Sequence, residues 1–143
     1  CVFYRGKNAK ADFYFLSDGV QKELYGGHIA RHYNSEEEGT VCRITKRGEG
    51  FTSLITVIDA APDRPLQIEK LPVRSALKGT AYPQSMAEAV KLTTAEKEYV
   101  VIVCHQEVNS PTDLQEADGC MGYGNVIVFD KAEGTLVGEV LNW

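Results

Sequence analysis

The chain is poor in the features that assign a function at sight. No apolar run approaches the ~18 residues of a membrane-spanning helix, so no membrane span is expected. Basic residues are not in excess: 15 Lys and Arg stand against 20 Asp and Glu, a net charge of −5. A nucleic-acid partner is therefore not expected, because such binders carry a basic patch or stripe. The densest basic cluster, Arg43, Lys46 and Arg47, reads as one edge of a hairpin. There is no phosphate-binding loop, no zincin motif, no internal repeat and no low-complexity tract, and no family pattern is recognised.

Cysteine is sparse but present. Cys1, Cys42, Cys104 and Cys120 allow three pairings. In an oxidising compartment Cys104–Cys120 with Cys1–Cys42 is the favoured pair set, and an extracellular or periplasmic location then follows. The Cys104–Cys120 loop of about 15 residues would contribute on the order of 3 kcal/mol. The alternative is four reduced thiols, two of them acting as small core fillers. The chain opens on Cys1. That residue reads as a processed or trimmed end, as a lipid-bearing cysteine, or as a nucleophile using its own α-amine as base.

What is present in strength is β-branched and aliphatic side chains. Tyr99 to His105, and downstream Val126 to Asp130, hold the two longest apolar runs. Both read as strands with two buried faces. The polar connection between them, Gln106 to Asn125, holds the densest set of reactive groups. At 143 residues and 43% hydrophobic, the chain has the size and composition of one globular domain, 1–143.

In order, Val2–Tyr4 and Phe13–Leu16 read as strands joined over Arg5–Asn8. Their aromatic rings, Phe3, Tyr4, Phe13, Tyr14 and Phe15, are too many for one face and suit a ligand or partner surface. Asp18 and Gln21 have capping-box spacing, and Val20, Leu24, His28 and His32 recur every four residues; a helix is predicted there, broken at Gly26-Gly27. Thr40–Lys46 and Phe51–Asp59 are predicted to form a hairpin over Arg47–Gly50. Leu66–Glu69 reads as a strand. Ser85–Glu88 is a second capping box, with Met86, Ala89, Val90 and Thr93 giving a short helix. A helical turn around Leu114 and a closing hairpin, Val126–Asp130 with Leu136–Leu141, complete the chain. The expected fold is α+β: a mainly antiparallel sheet of hairpins with one or two short helices. A β-rich barrel with a helix is the alternative.

Three constellations are candidates for chemistry. His105 and Glu107 share a strand face, so the carboxylate can orient the imidazole for acid–base work. Cys120 sits in the glycine-rich Gly119–Asn125, where an exposed thiol could act as a nucleophile. His28 and His32, at i and i+4 on a helix, could ligate one metal, with a third ligand from Glu36, Cys42, His105 or Cys120. None is a high-specificity motif. The favoured expectation is a non-catalytic binding or interaction domain for a small molecule or a protein. A small hydrolase or transferase using His105/Glu107 or Cys120 is one alternative, and a metal-binding domain using His28/His32 is the other. No cofactor is specified by the sequence.

Overall fold

The computed structural model describes residues 1–30, 32–106 and 114–131 in full, and the backbone of 135–140. Among these residues every regular element is a strand and every pairing is antiparallel. The strands are β1 (Val2–Arg5), β2 (Lys10–Phe15), β3 (Gln21–Ile29), β4 (Glu37–Thr45), β5 (Thr56–Asp59), β6 (Gln67–Leu71), β7 (Arg74–Ser75), β8 (Ala87–Thr93), β9 (Glu98–Cys104), β10 (Gln115–Ala117), β11 (Cys120–Gly122), β12 (Val126–Asp130) and β13 (Thr135–Val140). They form a three-stranded sheet β1-β2-β5, a two-stranded ribbon β3-β4, a five-stranded sheet β13-β12-β9-β8-β6 and a small sheet β11-β10-β7. No barrel closes. The α+β expectation and its helix-bearing barrel alternative are both overturned.

Both predicted helices are strands, each because a neighbour offers ladder bonds that local spacing does not reveal. Residues 21–29 pair along their whole length with β4, from Gln21↔Thr45 to Ile29↔Glu37. One of the two glycines that weakened the helix, Gly27, is an asset in this ladder. Gly27 lies opposite Gly39, and the space above the pair is filled from the two flanks: a Cβ on Gly39 would come within 2.5 Å of Ile29 Cδ1, and one on Gly27 within 2.6 Å of Val41 Cγ2. Residues 87–93 lie between β6 and β9 and are paired on both sides. Of the predicted helix only one turn remains, with Met86 N and Ala87 N donating to Pro83 O at 2.8 and 3.3 Å.

The predicted hairpin of 40–46 with 51–59 does not form either. β4 pairs with β3, and β5 pairs with β2, so residues 46–55 cross between two sheets. The β1–β2 hairpin and the β12–β13 hairpin form as expected. Residues 115–117, expected within a helical turn, are strand β10.

The core lies on one face of the five-stranded sheet. In register, Leu71, Ala89, Ile102 and Ile127 make one row across four strands. Val73, Ala117 and Cys120 of the small sheet and its flanks pack onto that row with Ala87 and Val100. Buried acids are each matched by a cation: Asp130 with Lys97 Nζ at 2.7 Å, Glu116 with Arg74, Asp12 with Arg5 at 2.5 Å. Among the described residues of 1–70, only Asp12 and Ser17 are buried. The first three-stranded sheet and the ribbon therefore have no interior of their own.

Candidate functional site

The second face of the five-stranded sheet is also apolar, and the described residues cover only part of it. Alternation along β8 and β9 puts Val90, Leu92, Val101 and Val103 on this face, opposite to Ala89, Val100 and Ile102. Val100 and Ile102 are fully buried, whereas Val101 and Val103 are half-buried. The partial cover is the extended segment 53–57. Between the two lies a cavity of about 430 Å³ lined by Leu54, Ile55 and Val57 on one wall and by Val90, Leu92, Val101 and Val103 on the other.

The wall segment is held by one buried hydroxyl. Ser17 Oγ accepts from Ile55 N at 3.0 Å and donates to Ser53 O at 3.1 Å, and Leu16 N donates to Ile55 O at 3.1 Å. Lys46 Nζ donates to the same Ser53 carbonyl at 3.2 Å.

The cavity ends in a polar cluster built from five separate stretches of the chain. Glu88, on β8, has a side chain only 4% exposed. Its Oε1 accepts from Lys70 Nζ of β6 at 3.0 Å and from Gln84 Nε2, and its Oε2 lies 3.0 Å from His105 Nε2. Ser53 bonds to Glu88 as well, and its hydroxyl accepts from Gln84 Nε2 at 3.2 Å. Burial by itself works to raise the Glu88 carboxyl. The hydrogen bonds from Ser53, Gln84, Lys70 and His105 outweigh it and hold the group at about 2. Glu88 is thus a fixed negative charge, and the His105 ring is anchored to it. Phe51 packs against that ring, centroids 4.9 Å apart and tilted by 48°.

Of the sequence candidates, His105 reaches this site, while Cys120, His28 and His32 stand elsewhere. Glu107, its expected carboxylate partner, lies outside the described residues; the carboxylate found against His105 is Glu88. Cys120 is 9% exposed and belongs to the core on the opposite face of the sheet, next to Ala117 and Ile127. Burial pushes its thiol above the ordinary value, away from nucleophilic use. None of the four cysteines is in a disulfide. Cys104 Sγ faces Met86 O at 3.4 Å.

His28 lies on a strand, not a helix, so the i, i+4 spacing no longer brings His32 onto its face one turn away. His28 Nδ1 is 3.3 Å from Glu36 Oε1, while His32 is exposed in the turn before β4. Among the described residues, no group of three His, Cys, Asp or Glu is placed to hold a metal ion. No described helix is long and apolar enough to cross a membrane.

Sequence reasoning missed Glu88, Ser53, Lys70 and Lys46. A signal for Glu88 was present: Glu88, Val90 and Leu92 alternate with Ala87, Ala89 and Lys91, a strand pattern that the capping box outweighed. Read as a strand, it puts Glu88 opposite Val103, two residues from His105. Comparison with known proteins adds no relative: no family model, curated protein or solved structure matches this chain.

Proposed function

We propose that this protein is a non-catalytic binding domain whose ligand is an apolar small molecule with a hydrogen-bonding end. The observation that carries the reading is the second face of β8 and β9. Its side chains are as apolar as those of the core face, yet they line an open cavity of about 430 Å³. Apolar walls with a few fixed polar groups at one end are the usual make-up of a small-molecule site. The ligand's body lies along Val90, Leu92, Val101 and Val103, and its polar end meets His105 and Ser53.

The arrangement at the polar end favours binding over catalysis. In a hydroxyl–imidazole–carboxylate triad the imidazole stands between the hydroxyl and the carboxylate. Here the carboxylate of Glu88 stands between Ser53 and His105, which is the reverse order. The enzyme reading through Cys120 has a buried, raised thiol against it, and the metal reading through His28 and His32 has lost its helix.

The test is titration with N-phenyl-1-naphthylamine, a neutral apolar fluorophore. Saturable, blue-shifted fluorescence is expected with the native protein and is expected to disappear in Val101→Asp/Val103→Asp. No saturable signal in the native protein, or an equal signal in the double variant, would sink the proposal.

A further inference from the structure

We propose that β4 is a self-complementary edge that pairs antiparallel with β4 of a second copy of this chain, giving a four-stranded sheet β3-β4-β4-β3 across a two-fold axis. Three observations lead there. First, the ribbon is nine residues long on each strand and, among the described residues, has no third strand. A lone two-stranded ribbon is marginal in water, and three or more strands are needed for independent stability. Second, both faces of the ribbon are open: Leu24 is 59% exposed, Ile29 41% and Tyr25 38%. No backbone hydrogen bond among the described residues reaches the edge of β4 that faces away from β3.

Third, the charges along this edge are ordered by sign. Glu37 and Glu38 open the strand, Arg43 lies in its second half, and Lys46 and Arg47 follow just beyond its end, so that Cys42 is midway between the acidic and the basic pair. Edge strands often carry scattered charge as protection against pairing. Segregation of acids at one end and bases at the other does the opposite for an antiparallel copy. An isologous interface needs each patch to match itself. With the two-fold axis at Cys42, Glu37 faces Arg47 of the second copy and Glu38 faces its Lys46, and both pairs recur on the other side of the axis.

The register is tightly constrained. Only every second residue of a strand turns its N–H and C=O outward, so the axis must pass through a residue and not between two. An axis at Val41 leaves Glu37 and Glu38 against Thr45 and Ile44. An axis at Arg43 sets Glu37 against Glu49, like against like. The Cys42 register alone of these three pairs the charges. It also brings the two Cys42 side chains directly opposite each other, at a strand spacing compatible with a cross-link. Lys46 exchanges its bond to the Ser53 carbonyl for the facing carboxylate, while Arg47 is exposed and already available.

The experiment is sedimentation velocity of the reduced full chain from about 1 to about 200 µM. A monomer–dimer equilibrium that weakens with salt is expected. Glu37→Lys/Glu38→Lys and Lys46→Glu/Arg47→Glu should each weaken self-association by at least about tenfold. An equimolar mixture of the two variants should restore the dimer, because every facing pair is then again opposite in sign. In a Cys1→Ser background, diamide should link the dimer through Cys42. It accepts two electrons and two protons from two thiols as the S–S bond forms. Adding Cys42→Ser should abolish the link. A native chain that stays monomeric throughout overturns the proposal. So does a dimer that both charge reversals leave intact, and so does a mixture that stays monomeric.

Discussion

At the scale of single residues, Glu88 carries the most consequence. Its carboxyl is held at about 2, below its value in an unfolded chain, so the ionised form is favoured by folding. That contribution is fully present above about pH 5 and is lost as pH falls toward 2; for a shift of this size it is on the order of 3 kcal/mol. In Glu88→Gln the acid limb should flatten. Chemical denaturation at pH 7 is expected to show the variant less stable by about 2–3 kcal/mol, with the gap closing near pH 2. A constant gap across that range would refute the charge-based account. Ser17 is the second such residue. Ser17→Ala leaves the Ile55 N–H without its acceptor, at a cost of about 1–3 kcal/mol. It should also weaken fluorophore binding more than stability alone explains, because the hydroxyl positions the cavity wall. Titration and denaturation of the same sample separate the two effects.

At the scale of elements, β9 shows how one sequence pattern serves two purposes. Its run of aliphatic side chains reads as buried on both faces. One face is buried by the protein itself, and the other is left half covered beside the cavity. Two chemically identical substitutions therefore separate the roles. Val100→Ala, on the core face, should cost about 2–3 kcal/mol of stability and leave fluorophore affinity nearly unchanged. Val101→Ala should cost about 1 kcal/mol or less and lower the affinity several-fold. Equal effects of the two on binding would contradict the assignment of faces. Glu88 was hidden for a related reason. Ser85 to Glu88 has the spacing of a helix start, and a window of a few residues cannot show that strands stand on both sides of it.

At the scale of the whole molecule, apolar burial is concentrated in residues 71–130, while the described N-terminal elements bury only Asp12 and Ser17. Of the exposed large hydrophobics, Phe3, Tyr4, Leu24, Tyr25, Ile29, Tyr33, Phe51, Leu54 and Ile58 all lie in that N-terminal part. Such a surface is usual where a partner supplies the missing cover. If the β4 edge pairs two copies, melting of the ribbon is coupled to dissociation. The transition temperature of the native chain should then rise with protein concentration, and that of Lys46→Glu/Arg47→Glu should not. Calorimetry across a hundredfold concentration range, at about 2 to 4 °C of shift per kcal/mol for a chain this size, resolves the difference.

The sequence by itself determined the antiparallel hairpins at the two ends and the central strand 98–104. In each of these the alternation of side chains and the turn between partners are local properties. It also placed His105 at the end of that strand. Only the tertiary structure decided that residues 21–29 and 87–93 are strands, because their ladder partners lie up to 26 residues away at the Gln67↔Thr93 pair and their helix-like spacing is a short-range pattern. It decided, too, that Cys120 belongs to the core, and that the carboxylate beside His105 comes from the neighbouring strand. Hydrogen bonding between strands acts at a distance along the chain that no local periodicity records, and in this protein it set both the fold class and the site.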